Sequence, residues 1–170
     1  MAKSILIISV FFLFCCCKKE SNKNIVIDSN YFSFEQFLYL KDKALEEGNS
    51  NAYDNLLVYY DANTTRYHEL LSISIIMNEK YNNLKSNIVI YETVIKIYND
   101  GNYNDSLLLN LNRNHKEFAL FYLKKGASKK IPSCVKTLEK IYRQGIGVPK
   151  NEKKADSLAL IDIKIYPVED

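Results

Sequence analysis

Tryptophan is absent from this 170-residue chain, histidine occurs twice, and proline and glycine occur only 3 and 5 times. Each scarcity closes off a kind of function. His68 and His115 stand at metal-ligand spacing neither from each other nor from Cys134, so no zinc site is written in the chain. His68 lies beside Glu69 on a polar helix start and His115 follows a candidate cap, Asn114, which reads both as surface residues. A net charge of +3, with no basic run interleaved with aromatics, leaves no case for nucleic acid. Serine-elbow, zinc-protease and kinase signatures are missing. The carboxylates of Glu46 and Glu47 fall at a helix end and need no catalytic explanation. No metal, cofactor or catalytic residue is expected. What is abundant is Leu, Ile, Lys, Glu and Asn; with so few breakers, these favour helices punctuated by Asn-rich caps and turns. Apolar residues at 47% and charged residues at 25% are ordinary for one globular domain.

Cysteine is confined almost wholly to one place. Of 4 cysteines, three are consecutive, Cys15 to Cys17, and the fourth is Cys134. Adjacent cysteines lack zinc-site spacing and have no matching pair downstream. They follow Lys3 and an apolar run from Ile5 to Phe14, interrupted by Ser9, about half the length that spans a bilayer and suited to the apolar region of a signal peptide. The segment "MAKSILIISVFFLFCCCKKES" resembles a bacterial lipoprotein signal. The resemblance implies removal of residues 1–16 and a lipid on Cys17, with Cys16 as the alternative because it places Leu13 at the usual leucine position. Cysteine, rather than Ala, Ser or Gly, occupies the small positions before the site. The implied location is the bacterial cell envelope, lipid-anchored at the outer membrane and facing the periplasm or the outside. Several acyl chains hold a protein at a membrane more firmly than one weak helix. Residues 17–30 read as a polar tether. Cys134 is then the one cysteine left in the folded part. It takes a small-residue site and is expected to be buried and inert, since free Cys packs like a small hydrophobe.

From Tyr31 the apolar period is helical, and the predicted domain runs over residues 31–166. "SFEQ" at Ser33 to Gln36 is a capping-box signature, and Gly48 suits a left-handed C-cap. A pattern then recurs. Ala52, Leu56, Tyr59 and Tyr60 lie at i, i+4, i+7 and i+8; Ile90, Val94, Ile97 and Tyr98 repeat that spacing, and so do Cys134, Leu138, Ile141 and Tyr142. Three residues after each final Tyr comes a residue that tolerates positive φ: Asn63, Gly101 and Gly145. The tyrosines at 60, 98 and 142 are core residues by this pattern. A second helix follows each copy, through Leu71, Ser74 and Ile75, then Ala119, Tyr122, Leu123, Gly126 and Ala127, then Ala155, Leu158 and Ala159. An earlier helix through Phe37, Leu40, Ala44 and Leu45 has the second-helix pattern and no partner before it. The expected fold is all-α, an α-solenoid of about three helix-turn-helix repeats preceded by one orphan helix.

The stretch "YRQGIGVPKN" raises the question of a phosphate loop. Dinucleotide loops follow a strand and carry a third glycine on the next helix; here a helix precedes, and Lys150 stands where that glycine belongs. A turn explains each residue: Gly145 closes a helix, Gly147 permits a bend, Val148 packs inward, Pro149 stiffens the exit and Asn151 caps the next helix. Over Pro132 to Leu160 the chain resembles the SEL-like repeat, a relative of tetratricopeptide repeats. Leu138, Tyr142, Gly145, Gly147, Val148, Lys154 and Ala155 match its pattern, while Cys134 replaces the first Ala and Asn151 the Asp. The resemblance implies an adaptor or scaffold that binds another protein on a concave face lined by the first helix of each pair.

Subtracting the packing positions leaves an outward strip on those first helices: Asp54, Val58 and Asp61, then Glu92, Lys96 and Asn99, then Lys136, Lys140 and Arg143. Read along the stack it runs from acidic to basic, a field able to steer a charged protein partner. The expected function is therefore non-catalytic protein binding in the cell envelope. An immunity protein that occludes a periplasmic toxin is the alternative, and a cell-wall hydrolase is a third reading that lacks a nucleophile or metal set.

Overall fold

The computed structural model describes residues 33–62 and 65–165, the last three by backbone alone. The signal segment, Cys16, Cys17, the tether and Asn63 lie outside the described residues. The fold is all-α, with its helices packed in adjacent pairs. In order they are α1 (Phe34–Glu47), α2 (Ser50–Ala62), α3 (Tyr67–Glu79), α4 (Ser86–Ile97), a 3-10 segment (Asp105–Asn110), α5 (Arg113–Ser128), α6 (Pro132–Gln144) and α7 (Glu152–Ile165).

Local chemistry sets the ends of these helices. Ser33 Oγ accepts from the Gln36 amide at 3.1 Å, and the Gln36 side chain accepts from the Ser33 amide at 3.0 Å, so both halves of the capping box form. Gly48 closes α1 at φ 67°. The cap of α5 is Asn112, whose side chain accepts from the His115 amide at 2.9 Å, rather than the expected Asn114. Pro132 opens α6, where its missing N–H costs nothing. Gly145, at φ 72°, ends α6, and Gly147 bends at φ 67°. The Asn151 amide donates back to the Tyr142 carbonyl at 2.8 Å, and the Asn151 side chain accepts from the Lys154 amide at 2.9 Å to cap α7. Residues 145–151 thus join two helices, which leaves no strand to present a dinucleotide.

The apolar faces collect into two clusters. Phe37, Tyr53, Leu56, Tyr60 and Met77 centre the first, from α1 to α3. Ile90, Tyr91, Ile95, Leu123, Val135 and Ile141 centre the second, from α4 to α6, and Ala155 of α7 is also fully buried. Val89 packs against both clusters. A buried polar seam runs beside it: Tyr53 Oη donates to Ser74 Oγ at 2.8 Å, and Asn78 Nδ2 donates to Ser86 Oγ at 2.9 Å.

The first copy departs from the other two. Backbones approach closely between α4 and α5 and between α6 and α7, but α2 and α3 come together over few residues, and α2 lies mainly along α1. Arg66, which precedes α3, joins it to both earlier helices: its guanidinium sits 4.7 Å from the Phe37 ring centre of α1 and donates to Tyr59 Oη of α2 at 2.9 Å. Tyr98 also departs from its expected core place. It is 47% exposed, because α4 ends at Ile97 and Tyr98 is already the first residue of the turn.

Close packing in the second half depends on Gly126. A Cβ there would lie 2.3 Å from Cys134 Sγ of α6 and 2.9 Å from Asn87 Cβ of α4. Cys134 is fully buried, and burial pushes its thiol up to about 12, so it is inert. Gly126→Ala in an exposed helix stabilises by up to ~1 kcal/mol. Here the overlap dominates, and a net loss of ~1–3 kcal/mol is expected. Adding Cys134→Ala should return part of that loss. Urea denaturation of the two single variants and the double variant checks both statements.

Candidate functional site: the charged face of the first helices

Ion pairs link α2 to α4 and the 3-10 segment to α6, which draws the expected strip onto one face. Lys85 Nζ donates to Asp54 Oδ1 at 2.7 Å, and Lys96 Nζ donates to Asp61 Oδ1 at 3.2 Å. Lys96 is also held 5.4 Å above the Tyr67 ring. Asp54 and Asp61 of the first copy are therefore both neutralised by lysines of α4 or its approach.

Asp105 is the hub of the face. It is buried at 7% exposure, on a 3-10 segment that the helical period does not announce. Asn104 starts the segment by accepting from the Ser106 amide at 3.0 Å. Asp105 Oδ1 accepts from Tyr103 Oη at 2.8 Å and from Tyr91 Oη at 3.3 Å. Its Oδ2 accepts from Lys140 Nζ at 2.8 Å. One carboxylate thereby ties α4, the connecting loop and α6 together. A buried carboxylate is tolerable because every strong direction is satisfied by a donor.

The strip splits at α6. Lys140 turns to Asp105, while Arg143 bonds Glu139 and reaches Asp156 of α7 at 3.1 Å. Lys136 lines a shallow cleft with Glu139, Ala159 and Asp162. The smooth acidic-to-basic gradient expected from the sequence is therefore replaced by local pairs; the exposed ones are worth at most ~1 kcal/mol each, while the pair on buried Asp105 is the one that cannot be broken without stranding a charge. Asn99 is tied to Asn110 at 2.9 Å, and Val58 stays exposed at 48%.

Two strip charges keep no hydrogen bond or ion pair among the described residues: Glu92 and Lys136. Lys136 is exposed, which costs little. Glu92 is half-buried on α4, and its pKa is raised, chiefly by desolvation, with Asp61 and Asp105 adding to the rise and Lys96 opposing it. Glu92 is thus a half-buried carboxylate without a hydrogen-bonding or ion-pair partner among the described residues, within electrostatic reach of Lys96, Asp61 and Asp105.

The remaining candidates are structural. His68 is exposed. His115 stacks on Tyr98, with ring centres 3.9 Å apart. Tyr142 is half-buried beneath Lys154, 5.2 Å from its ring centre. Gly147 lies against Leu108, and Val148 packs on the second cluster. Among the described residues, no group of three or more His, Cys, Asp or Glu is placed to hold a metal ion. Sequence reading missed Asp105, Tyr91 and Tyr103; the signal was the cap-like run Asn104-Asp105-Ser106 before Leu107.

The fold and this face define an all-α protein whose helices pack in adjacent pairs. Comparison with protein-family models, curated proteins and solved structures finds no match for this chain.

The raised Glu92 pKa gives a signed prediction. Below the ordinary glutamate range Glu92 is protonated whether the chain is folded or not, so Glu92→Gln changes little. As pH rises through that range and past the raised native value, the wild type alone acquires an unfavourable buried charge. The Gln variant should then be the more stable at neutral pH by roughly 0.5–1 kcal/mol, the scale of a screened charge contact. Thermal unfolding of both proteins at acid and neutral pH measures this. Equal stability at neutral pH would contradict it.

Proposed function

We propose that this protein is a lipid-anchored, helical-repeat interaction module of the bacterial cell envelope, an adaptor that receives another protein on the face of α2, α4 and α6. The observation that carries this reading is Glu92. The neighbouring charges are neutralised inside the chain, but this one is left half-buried without an ion-pair partner, at a cost to stability. Groups kept against stability are a mark of function. A partner supplying Lys or Arg to Glu92, and a carboxylate to Lys136, would complete both. Such pairs set specificity and approach more than raw affinity.

The anchor rests on sequence. The apolar run Ile5 to Phe14, followed by Cys15 to Cys17 and then Lys18 and Lys19, resembles a lipoprotein signal. Among the described residues, no helix is long and apolar enough to cross a membrane. Support for a SEL-like repeat comes from Gly145, Gly147, Val148 and Ala155, which form the α6–α7 turn and its packing.

Two experiments test the reading. The chain from residue 18 to 170, used as crosslinking bait in the native envelope, should capture one protein and lose it on Glu92→Gln or Lys136→Glu. Glu92→Gln is expected to be the more stable fold, so loss of capture by that variant cannot be misfolding. Capture that survives both changes would sink the assignment. Separately, a labelled fatty acid should be incorporated into the full chain and not into Cys17→Ser, with Cys16→Ser needed as well if the alternative site is used. Label retained with both changed, or absent from the wild type, refutes the lipid anchor.

A further inference from the structure

The second helices carry a different chemistry from the first. Phe121 is 57% exposed on α5, and Phe118, one turn earlier, is 38% exposed. Their rings each lie 5.2 Å from that of Tyr122, so the three form one aromatic ridge. A single exposed apolar side chain needs no explanation, but two phenylalanines on one helix face are a larger apolar surface than folding requires.

Basic charge predominates around the ridge. Glu117 is taken by Arg113 at 2.8 Å, and Glu79 by Lys125 at 2.7 Å. Lys124, Lys129 and Lys130 are exposed and form no ion pair among the described residues; Lys129 bonds the neutral Asn82 at 2.6 Å and lies within electrostatic reach of Glu79. Lysines at a helix C-terminus also complement the helix dipole. That explains the lysines and leaves the phenylalanines unexplained.

We infer that the outer face of α5 lies on an anionic lipid surface, with Phe118 and Phe121 at the headgroup–acyl boundary and Lys124, Lys129 and Lys130 over acidic headgroups. A basic helix with exposed aromatics is the form such contacts take. The inference rests in part on the envelope anchor proposed above. From Cys17 to Ser33 the chain spans at most about 55 Å when fully extended. A domain of this size has a radius of gyration of about 14 Å, so the tether lets any face reach the bilayer and surface chemistry decides which one does. The outer face of α1 is the nearest rival, with Phe34, Leu38 and Tyr39 exposed. Its exposed neighbours Glu35, Asp42, Glu46 and Glu47 are acidic and repel anionic lipid. Seating α5 on the membrane leaves the face of α2, α4 and α6 free for a partner.

The test uses the chain from residue 18 to 170. Both core clusters lie within residues 33–165, so this chain keeps every described core contact. It also lacks Cys17 and cannot be acylated there, so its behaviour and that of the anchor are read separately. Sedimentation with vesicles of phosphatidylcholine, with and without added phosphatidylglycerol, should show binding to the anionic vesicles alone, weakened by salt. Phe121→Ser should weaken binding about tenfold. The joint change Lys124→Gln, Lys129→Gln and Lys130→Gln should weaken it on the order of 100-fold. All four side chains are exposed, and unchanged helical circular dichroism confirms the fold. No binding to anionic vesicles, or binding that survives both variants, overturns the inference. So does a dimer in solution that Phe121→Ser converts to a monomer, since a second copy would then be the occupant.

Discussion

Gly126 is where the second half of this protein is decided. Three helices meet there, with the α5 backbone against Cys134 of α6 and Asn87 of α4. A side chain at that point would push α5 off both. Because α5 sits close, α6 is drawn in beside α4, and Lys140 comes within 2.8 Å of Asp105. The polar hub of the charged face is thus a consequence of close packing on the far side of the same helices. The first half is built differently: Arg66, at the start of α3, is stacked on Phe37 of α1 and bonded to Tyr59 of α2. A cation can be held there because Glu69 supplies the opposing charge, itself paired with Lys41 at 2.8 Å.

The two faces follow different electrostatic rules. On the first helices charges are mostly cancelled in place, by Lys85, Lys96 and Lys140 from one side and by Asp54, Asp61 and Asp105 from the other. The proposed partner would meet little long-range field, and what remains is local: the half-buried Glu92 and the exposed Lys136. Recognition of this kind depends on placing a side chain rather than on steering. On α5 the balance is reversed. Its one acid, Glu117, is paired with Arg113, Lys125 takes Glu79 of α3, and three lysines remain on or just after the helix that bears the exposed rings. A surface that is diffuse, basic and aromatic suits a fluid anionic layer; one that is recessed and mostly neutral suits a shaped partner.

Much of the fold was legible because local rules and packing agreed. Ser33 and Gln36 form the capping box their spacing announces, Gly48 and Gly145 adopt the left-handed caps that glycine permits, and the small residues Gly126 and Ala155 lie at close contacts. Failures came where tertiary context overrode the period. Tyr98 matches the repeat in spacing, but α4 has ended by then and its ring leaves the buried stripe to stack on His115. The 3-10 segment has no helical period to detect, and the cap-like run Asn104-Asp105-Ser106 announces a turn but not that Asp105 collects donors from α4 and α6. The charged strip was found residue by residue, and its pairing was not, because each counter-charge comes from a residue distant in sequence. The identity of a partner is written nowhere in these contacts.

The most direct measurement of the central claim is photo-crosslinking in the intact envelope. A photoreactive amino acid replaces Glu92 in one strain and Ile76, exposed on α3, in another. The account predicts one discrete protein adduct from position 92 and none of that mass from position 76. Equal adducts from both positions, or none from position 92 in an envelope where position 76 crosslinks, would contradict the assignment of the α2, α4 and α6 face as the place where this protein meets its partner.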